Sequence, residues 1–437
     1  MEIVTLIIVA VTILLMMLSV VFFPSVVIFI KPHKQISINL YWVISLIGAI
    51  LLIVTGCISL SDVSSSMFQS GSINPIKILI LFYSMSMLSI ILDEYGFFGY
   101  IAGVVANQCK KSQNTLFICF YLCVSILTVF TSNDIIILTF TPFICSLCRK
   151  LKVSPIPYLI GEFIAANTLS MMLIIGNPTN IYLGSFYGVS FFEYLKVMAI
   201  PTLVTCVLVL LLLLLIFKKQ LKKSIEIDEY ENYKLNDKLS VFVSCLHLII
   251  AIILLAISSY INMEMHIISL CLCLSLLCYS IIMCIIKKDG RVITKTLKRI
   301  PYDLSVYVLS MFVLVVSLKN SGILLELSKI LNSFNNDIFS YGVSSFLFSN
   351  LMNNIPMSVM FSEMIAGGGS YEALYASVVG SNLGAYLTPL GALAGIMWLG
   401  LLKNEKINLT FKKFVLICAP VSIFAIIVCL ITLGFVL

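Results

Sequence analysis

Thr131-Ser132-Asn133-Asp134 and Gly176-Asn177-Pro178-Thr179-Asn180 interrupt two long apolar stretches in the first half of the chain. Met352-Asn353-Asn354-Ile355-Pro356 interrupts a third, and Ser381-Asn382-Leu383-Gly384 with Thr388-Pro389-Leu390-Gly391 a fourth. Each interruption gathers Asn, Gly, Thr, Ser or Pro inside sequence apolar enough to lie in lipid. Unpaired backbone groups are not tolerated there. A helix can break at membrane depth only where protein buries the break or a cavity wets it. Breaks at corresponding places in two halves are what a secondary transporter with a site near the midplane requires.

The rest of the chain agrees. Of its 437 residues, 60% are hydrophobic and only 11% charged, where soluble domains average about 25% charged. Mean hydropathy is +1.11. The expected fold is an all-α polytopic membrane protein. The first apolar run, Ile3 to Phe23, is too long for a signal peptide core and lacks a basic leader and a cleavage site, so it reads as a retained span. A net charge of +7 does not point to nucleic acid, because the basic residues are spread over short loops. The 14 Cys residues lie almost all in apolar segments and read as small core side chains. Cys145 and Cys148 form a lone C-x-x-C, which lacks the second ligand pair that zinc needs. No metal or cofactor is expected.

Spans of about 20 apolar residues are expected at 3–23, 38–60, 76–93, 158–195, 198–217, 240–260, 266–286, 303–318, 372–402 and 411–435, with 158–195 and 372–402 interrupted. The loops holding Lys31 and Lys34, Lys110 and Lys111, 149–152, 218–238, 287–299 and 403–413 carry 23 of the 27 Lys and Arg residues. Excess Lys and Arg marks the cytoplasmic side, which puts both termini outside. The segment 114–148 must then start and end in the cytoplasm, and 338–366 must start and end outside. Both become re-entrant hairpins. Five spans precede the 218–238 linker and five follow it, so 1–217 and 239–437 form two inverted repeats. Leu92-Asp93-Glu94-Tyr95-Gly96 and Leu318-Lys319-Asn320-Ser321-Gly322 echo one another ahead of the hairpins, and 97–109 and 323–335 read as short interfacial helices.

The chemistry sits at the interruptions. A chain that reverses inside the membrane starts a new helix with unpartnered N–H groups. Asn133 or Asp134 is placed to cap 135–148, and Asn354 to cap a helix with Pro356 in its first turn. Gly176, Pro178, Thr388 and Pro389 break the facing helices. Asn177, Thr179, Asn180, Asn353, Ser381 and Asn382 supply donors and acceptors for a small polar or anionic solute, while bare carbonyls would suit a cation. Asp134 is the one carboxylate placed at the membrane centre, where ionisable groups are costly. It can carry a coupling proton, ligate a sodium ion or cap its helix. Asp93 and Glu94 read as an interfacial anchor. Glu162 lies one turn inside its span, within reach of Arg149 or Lys150, and His247 reads as packing. No nucleotide loop G-x-x-x-x-G-K-[ST] or H-E-x-x-H motif is present, and no enzyme is expected.

At these residues the chain resembles the bacterial arsenite/antimonite efflux permeases, within the ion-transporter superfamily that also holds citrate and dicarboxylate carriers and sodium/proton antiporters. Leu92 to Phe98 is similar to that family's L-D-E-x-G-F-F. Ser132-Asn133-Asp134 with Leu138-Thr139-Phe140-Thr141-Pro142 resembles its N-D-x-x-x-x-L-T-P, with one extra residue. Asn177 to Ile181, Met352 to Pro356 and Gly380 to Trp398 resemble its remaining motifs. Asn382 stands where the family has Asp, and Tyr386 where it has a nearby Lys. The Gly-Asn-Pro-Thr-Asn wording is closer to the anion carriers. The resemblance implies a transport domain of hairpins and broken helices that moves, elevator-like, against a scaffold. It implies proton-driven efflux of arsenite or antimonite across the bacterial plasma membrane, alone or with a soluble ATPase subunit, and a homodimer by analogy. It also leaves a sodium- or proton-coupled carrier of citrate or a dicarboxylate, and a sodium/proton antiporter, as alternatives.

Overall fold

The structure is a computed structural model and describes residues 1–22, 25–31, 34–68, 74–109, 112–222, 235 and 237–437. Lys110, Lys111 and most of the 218–238 linker lie outside the described residues. The chain begins with α1 (Glu2–Phe22), the antiparallel ribbon β1 (Ser25–Lys31) and β2 (Lys34–Asn39), and α2 (Leu40–Val54). A short α3 (Leu60–Phe68) leads to α4 (Pro75–Glu94) and α5 (Phe97–Cys109). Then come α6 (Gln113–Phe130), α7 (Asn133–Lys150), α8 (Ile156–Leu169), a 3-10 turn at Ile174–Gly176, α9 (Pro178–Phe186), α10 (Phe191–Ile216) and α11 (Lys218–Leu221). The second half holds α12 (Lys238–Ala256), α13 (Met265–Lys287), α14 (Arg291–Arg299), α15 (Asp303–Asn320) and α16 (Ile323–Asn332). It closes with α17 (Asp337–Met352), α18 (Asn354–Ala366), α19 (Tyr371–Gly384), α20 (Leu393–Asn404) and α21 (Phe411–Val436).

Among the described residues, eight helices are long and apolar enough to cross a membrane. Seven coincide with expected spans. The eighth, Gln113–Phe130, falls where the first arm of the 114–148 hairpin is expected. Three expected spans differ from a single long helix. The segment 38–60 begins as strand, because Val26, Val27, Ile28, Ile36 and Ile38 are β-branched residues that favour a pleated surface, and α2 keeps 15 residues. The segment 158–195 ends early. Gly188 turns the chain at φ +64°, and Ser190 with Glu193 forms a capping box that starts α10 at Phe191. The segment 372–402 splits into α19 and α20.

Long helices turn one face to the protein and one to lipid. On α10, Tyr194, Met198, Thr202, Thr205, Val209 and Leu213 are buried, while Ile200, Leu203, Val207, Leu211 and Leu215 are exposed. Both faces are apolar or nearly so, which suits a helix packed on protein on one side and on lipid on the other. The innermost helices have no lipid face. Every residue of α8 from Pro157 to Leu169 is buried, and so is every residue of α19 from Ala373 to Gly384. Each has 14 residues, about 21 Å of helix, too short for a hydrocarbon core of about 30 Å.

Small residues let helices close on one another. A Cβ on Gly380 would stand 1.9 Å from Ser345 Oγ and 2.5 Å from the Gly342 carbonyl, and one on Gly384 would stand 2.2 Å from Ser349 Oγ. The α17–α19 contact is therefore a seam of Gly and Ser, which membrane helices use for close backbone approach.

Candidate functional site

Two broken elements cross at the centre of the molecule. In the first, α8 ends at Leu169, the chain turns through the 3-10 segment, and α9 starts at Pro178. Asn177 caps α9, its side chain accepting from the Thr179 amide at 3.1 Å. Pro178 takes the first helical position, where its missing N–H costs nothing. Asn180 ties the turn, its amide donating to the carbonyls of Ser170 at 2.8 Å and Leu173 at 3.1 Å. Gly176 lets the turn fold back. A Cβ there would lie 2.3 Å from the Ser170 carbonyl oxygen.

Asn382, in the last turn of α19, joins this loop to the second half. Its amide donates to Asn180 Oδ1 at 2.7 Å. Its Oδ1 accepts from Asn177 Nδ2 at 3.0 Å and from Ser170 Oγ at 2.9 Å. Thr179 and Ser381 share a hydroxyl hydrogen bond at 2.8 Å, and Thr168 and Tyr386 share another at 3.1 Å. All these side chains are buried. The cluster has no formal charge. It is a set of amides and hydroxyls bonded to one another and to nearby backbone groups.

The second hairpin tip forms a separate cluster on the second break. Asn353 has φ +75° and ψ 156°, a region almost reserved for glycine. Its amide donates to the Leu390 carbonyl at 3.4 Å, and the Asn354 N–H donates to the Gly391 carbonyl at 3.1 Å. Asn350 accepts from the Thr388 N–H at 3.1 Å and its hydroxyl at 2.7 Å, and donates to the Gly384 carbonyl at 2.9 Å. Gly391 lies against Gly384 as Gly176 does against Ser170. Pro389 closes the break, its carbonyl 2.5 Å from a Cβ placed on Gly395.

The first tip meets α8. Asn133 Nδ2 donates to Asn167 Oδ1 at 2.9 Å, while Asn133 Oδ1 and Ser132 Oγ are buried without a partner. Asp134 is half-buried and makes no hydrogen bond or ion pair among the described residues.

Several expectations shift here. Neither Asn133 nor Asp134 caps α7. The cap position is Ser132, which makes no side-chain cap bond, because Asn133 turns to Asn167 instead. Asn353, not Asn354, caps α18, accepting from the Ile355 amide, and Pro356 sits in the first turn as expected. Asn177, Thr179, Asn180, Ser381 and Asn382 do come together, whereas Asn133, Asn353, Asn354 and Thr388 stand in their own groups. Glu162 accepts from Thr141, not from Arg149, whose guanidinium is engaged by Glu405 at 2.7 Å. Asp93 and Glu94 bind Arg299 at 2.6 and 2.8 Å, and Thr139 of α7 donates to Asp93 at 3.0 Å. His247 packs between α12 and α13, on Val243 and Ser275. Sequence reading missed Asn167, Ser170 and Asn350. Asn350 stands two residues and Asn167 nine residues before an interruption, and that nearness was the signal available.

Comparison with known proteins decides the family. A family model described as a citrate transporter matches residues 1–380. The chain belongs to the citrate transporter family. This citrate transporter family member is 24% identical over 425 residues to the arsenical pump membrane protein of Escherichia coli K12, covering 92% of this chain and 95% of that one. It is also 24% identical to the arsenical pump membrane protein of Yersinia enterocolitica, over 78% of this chain and 82% of the relative. Among solved structures, the YdaH transporter of Alcanivorax borkumensis superposes with a TM-score of 0.55 at 15% identity, covering 99% of this chain and 97% of that one. MtrF of Neisseria gonorrhoeae superposes with 0.53 at 12% identity, covering 99% and 94%. These two likenesses concern the fold alone. As a member of the citrate transporter family, this chain is a multi-pass membrane transporter and not an enzyme.

Proposed function

We propose that this chain is a secondary active transporter of the bacterial plasma membrane that exports arsenite or antimonite, driven by protons through Asp134. The observation that carries the reading is the uncharged cluster of Asn177, Thr179, Asn180, Ser381 and Asn382, with Ser170 beside it. Arsenite in neutral water is an uncharged trihydroxide. Amides and hydroxyls offer both donors and acceptors to such a solute. Citrate and dicarboxylates carry full negative charges, which Arg or Lys complement most strongly, and no described Lys or Arg stands in the cluster. That chemistry, with the arsenical pump relatives, supports a neutral hydroxylated solute. In this closed arrangement the solute must displace the bonds that Asn382 makes.

The topology belongs to the same proposal. Ten spans and two hairpins in inverted repeats, with both termini outside, place Lys77 with Glu264, Lys319 with Glu363, Arg149 with Glu405 and Arg299 with Asp93 on shared sides. Ion pairs between these residues support that arrangement. The test is arsenite accumulation in cells lacking their own efflux system. Wild-type protein lowers it, and Asp134→Asn, present in the membrane at the same level, does not. Unchanged accumulation with wild type would move the assignment to the anion carriers, to be assayed as citrate uptake in proteoliposomes with and without sodium.

A further inference from the structure

Glu162 is a buried carboxyl that the binding cluster does not use. It lies on α8, is 2% exposed, and reaches only Thr141 of α7, whose hydroxyl is 3.2 Å from one carboxyl oxygen and 3.0 Å from the other. Trp398 of α20 donates its indole N–H to the same Thr141 oxygen at 2.9 Å. Its ring stacks on Phe163 with centroids 4.6 Å apart. The indole takes one lone pair of the hydroxyl oxygen, so a carboxylate at Glu162 would have a single shared hydrogen for two charged oxygens.

Among the described residues, the titratable groups on the packed elements do not supply a counter-charge: Lys150 is exposed at the end of α7, about 13 Å along the helix from Thr141, and Tyr158 of α8 bonds Gln113. Cys145 on α7, Tyr121 on α6 and Cys206 on α10 are neutral side chains, and Tyr121 donates to the Cys206 carbonyl. Arg149, at the end of α7, is held by Glu405 of α20. An ion without a counter-ion in such a place is strongly disfavoured by desolvation, and the group takes up a proton instead.

Its place on the helices gives that proton a direction. The pairs Asn133–Asn167 and Thr141–Glu162 are two polar rungs between antiparallel α7 and α8. Glu162 therefore lies about 10 Å along α7 from Asp134, toward the start of α8. A cavity of about 420 Å³ opens at that start, lined by Gln113, Lys152, Ile156 and Lys413.

We propose that Glu162 is a second proton-carrying group, on the cytoplasmic side of the Asn382 cluster. It is neutral while closed between Thr141 and Trp398, and releases its proton to the cavity at the start of α8 when α7 and α20 part from it. No bond other than O–H breaks. The proton passes to water and the carboxylate is left for the next turnover. The inference rests on the proton-driven reading above.

Infrared spectroscopy of the purified protein in lipid tests it directly. Wild type should show the carbonyl stretch of a protonated buried carboxylic acid at neutral pH, and Glu162→Gln should lose that band while Asp134→Asn keeps it. In proteoliposomes, Glu162→Gln should lose proton movement and cut pH-driven transport at least tenfold. Glu162→Asp, one methylene shorter, should recover it with a displaced pH profile. Thr141→Val leaves the carboxyl in place and removes its donor, so it should move ionisation of the band to higher pH. A band insensitive to Glu162→Gln, or undiminished proton movement in that variant, overturns the proposal. Wild type that moves its solute without protons would sink the proton-driven reading itself, and this proposal with it.

Discussion

At the scale of single residues, Asn382 is the junction of the molecule. It holds Ser170, Asn177 and Asn180, residues 202 to 212 positions away in the chain. Asn382→Leu leaves the buried Asn177 amide donor without a partner, at about 1–3 kcal/mol, and takes one bond each from Ser170, which keeps the Asn167 carbonyl, and Asn180, which keeps the Thr179 hydroxyl. We expect a clearly lower midpoint of thermal unfolding and no transport, measured on purified protein and in the accumulation assay. Asn382→Asp keeps the acceptor for Asn177 and Ser170 and loses the donor to Asn180 and the Val378 carbonyl, and should retain more of the fold than the Leu variant. Asn353 offers a different test. Its backbone lies at φ +75°, where a β-branched residue is strained by about 1–3 kcal/mol. Asn353→Val should lower the unfolding midpoint, and Asn353→Gly should leave it near wild type.

At the scale of elements, the seam between α17 and α19 has no room to grow. Gly380→Ala puts a methyl group against the Ser345 hydroxyl and the Gly342 backbone, and backbone cannot step aside as a flexible side chain does. The expected outcome is little folded protein in the membrane, read by fluorescence size-exclusion. The start of α12 carries a pH dependence. Asp237 is partly buried, which raises its carboxyl, but the Lys287 ammonium and the Ser240 amide outweigh this and hold it below the ordinary aspartate range. Its contribution is present above the unfolded value of about 4 and is lost as pH falls through the lower folded value. Asp237→Asn should therefore flatten the stability curve on the acid side only, measured as unfolding midpoint against pH. The element boundaries were legible because apolar length, Asn caps and Pro positions act locally: α4, α5, α13 and α16 start within a residue of expectation. The ribbon at Ser25–Asn39 was not: seven of its residues are β-branched or aromatic, but Lys31 and Lys34 made the stretch read as a loop between two spans. Nor was the splitting of the site into separate clusters, because which Asn meets which is decided by packing between residues far apart in sequence.

At the scale of the whole molecule, polar ties bind hairpin arms to long helices at both ends. Thr139 of α7 is held to α4 and α14 through Asp93 and Arg299, and Glu363 of α18 is held to Lys319 of α15 at 2.8 Å. If the hairpins travel relative to those helices, the ties must open in turn. Lys319→Glu should slow transport, and Lys319→Glu with Glu363→Lys should restore much of it, measured as initial rate in proteoliposomes. The crossing at Asn382 also bears on how the chain is made. When Asn177 and Asn180 leave the ribosome, their partner has not been synthesised. At about 5–20 residues per second, the wait is roughly 10–40 s. During it the Asn177 amide donor has no mate, so the first half should be a client of the insertion machinery rather than a finished domain. Expressed alone, 1–217 should be degraded, and co-expression of 239–437 should rescue it.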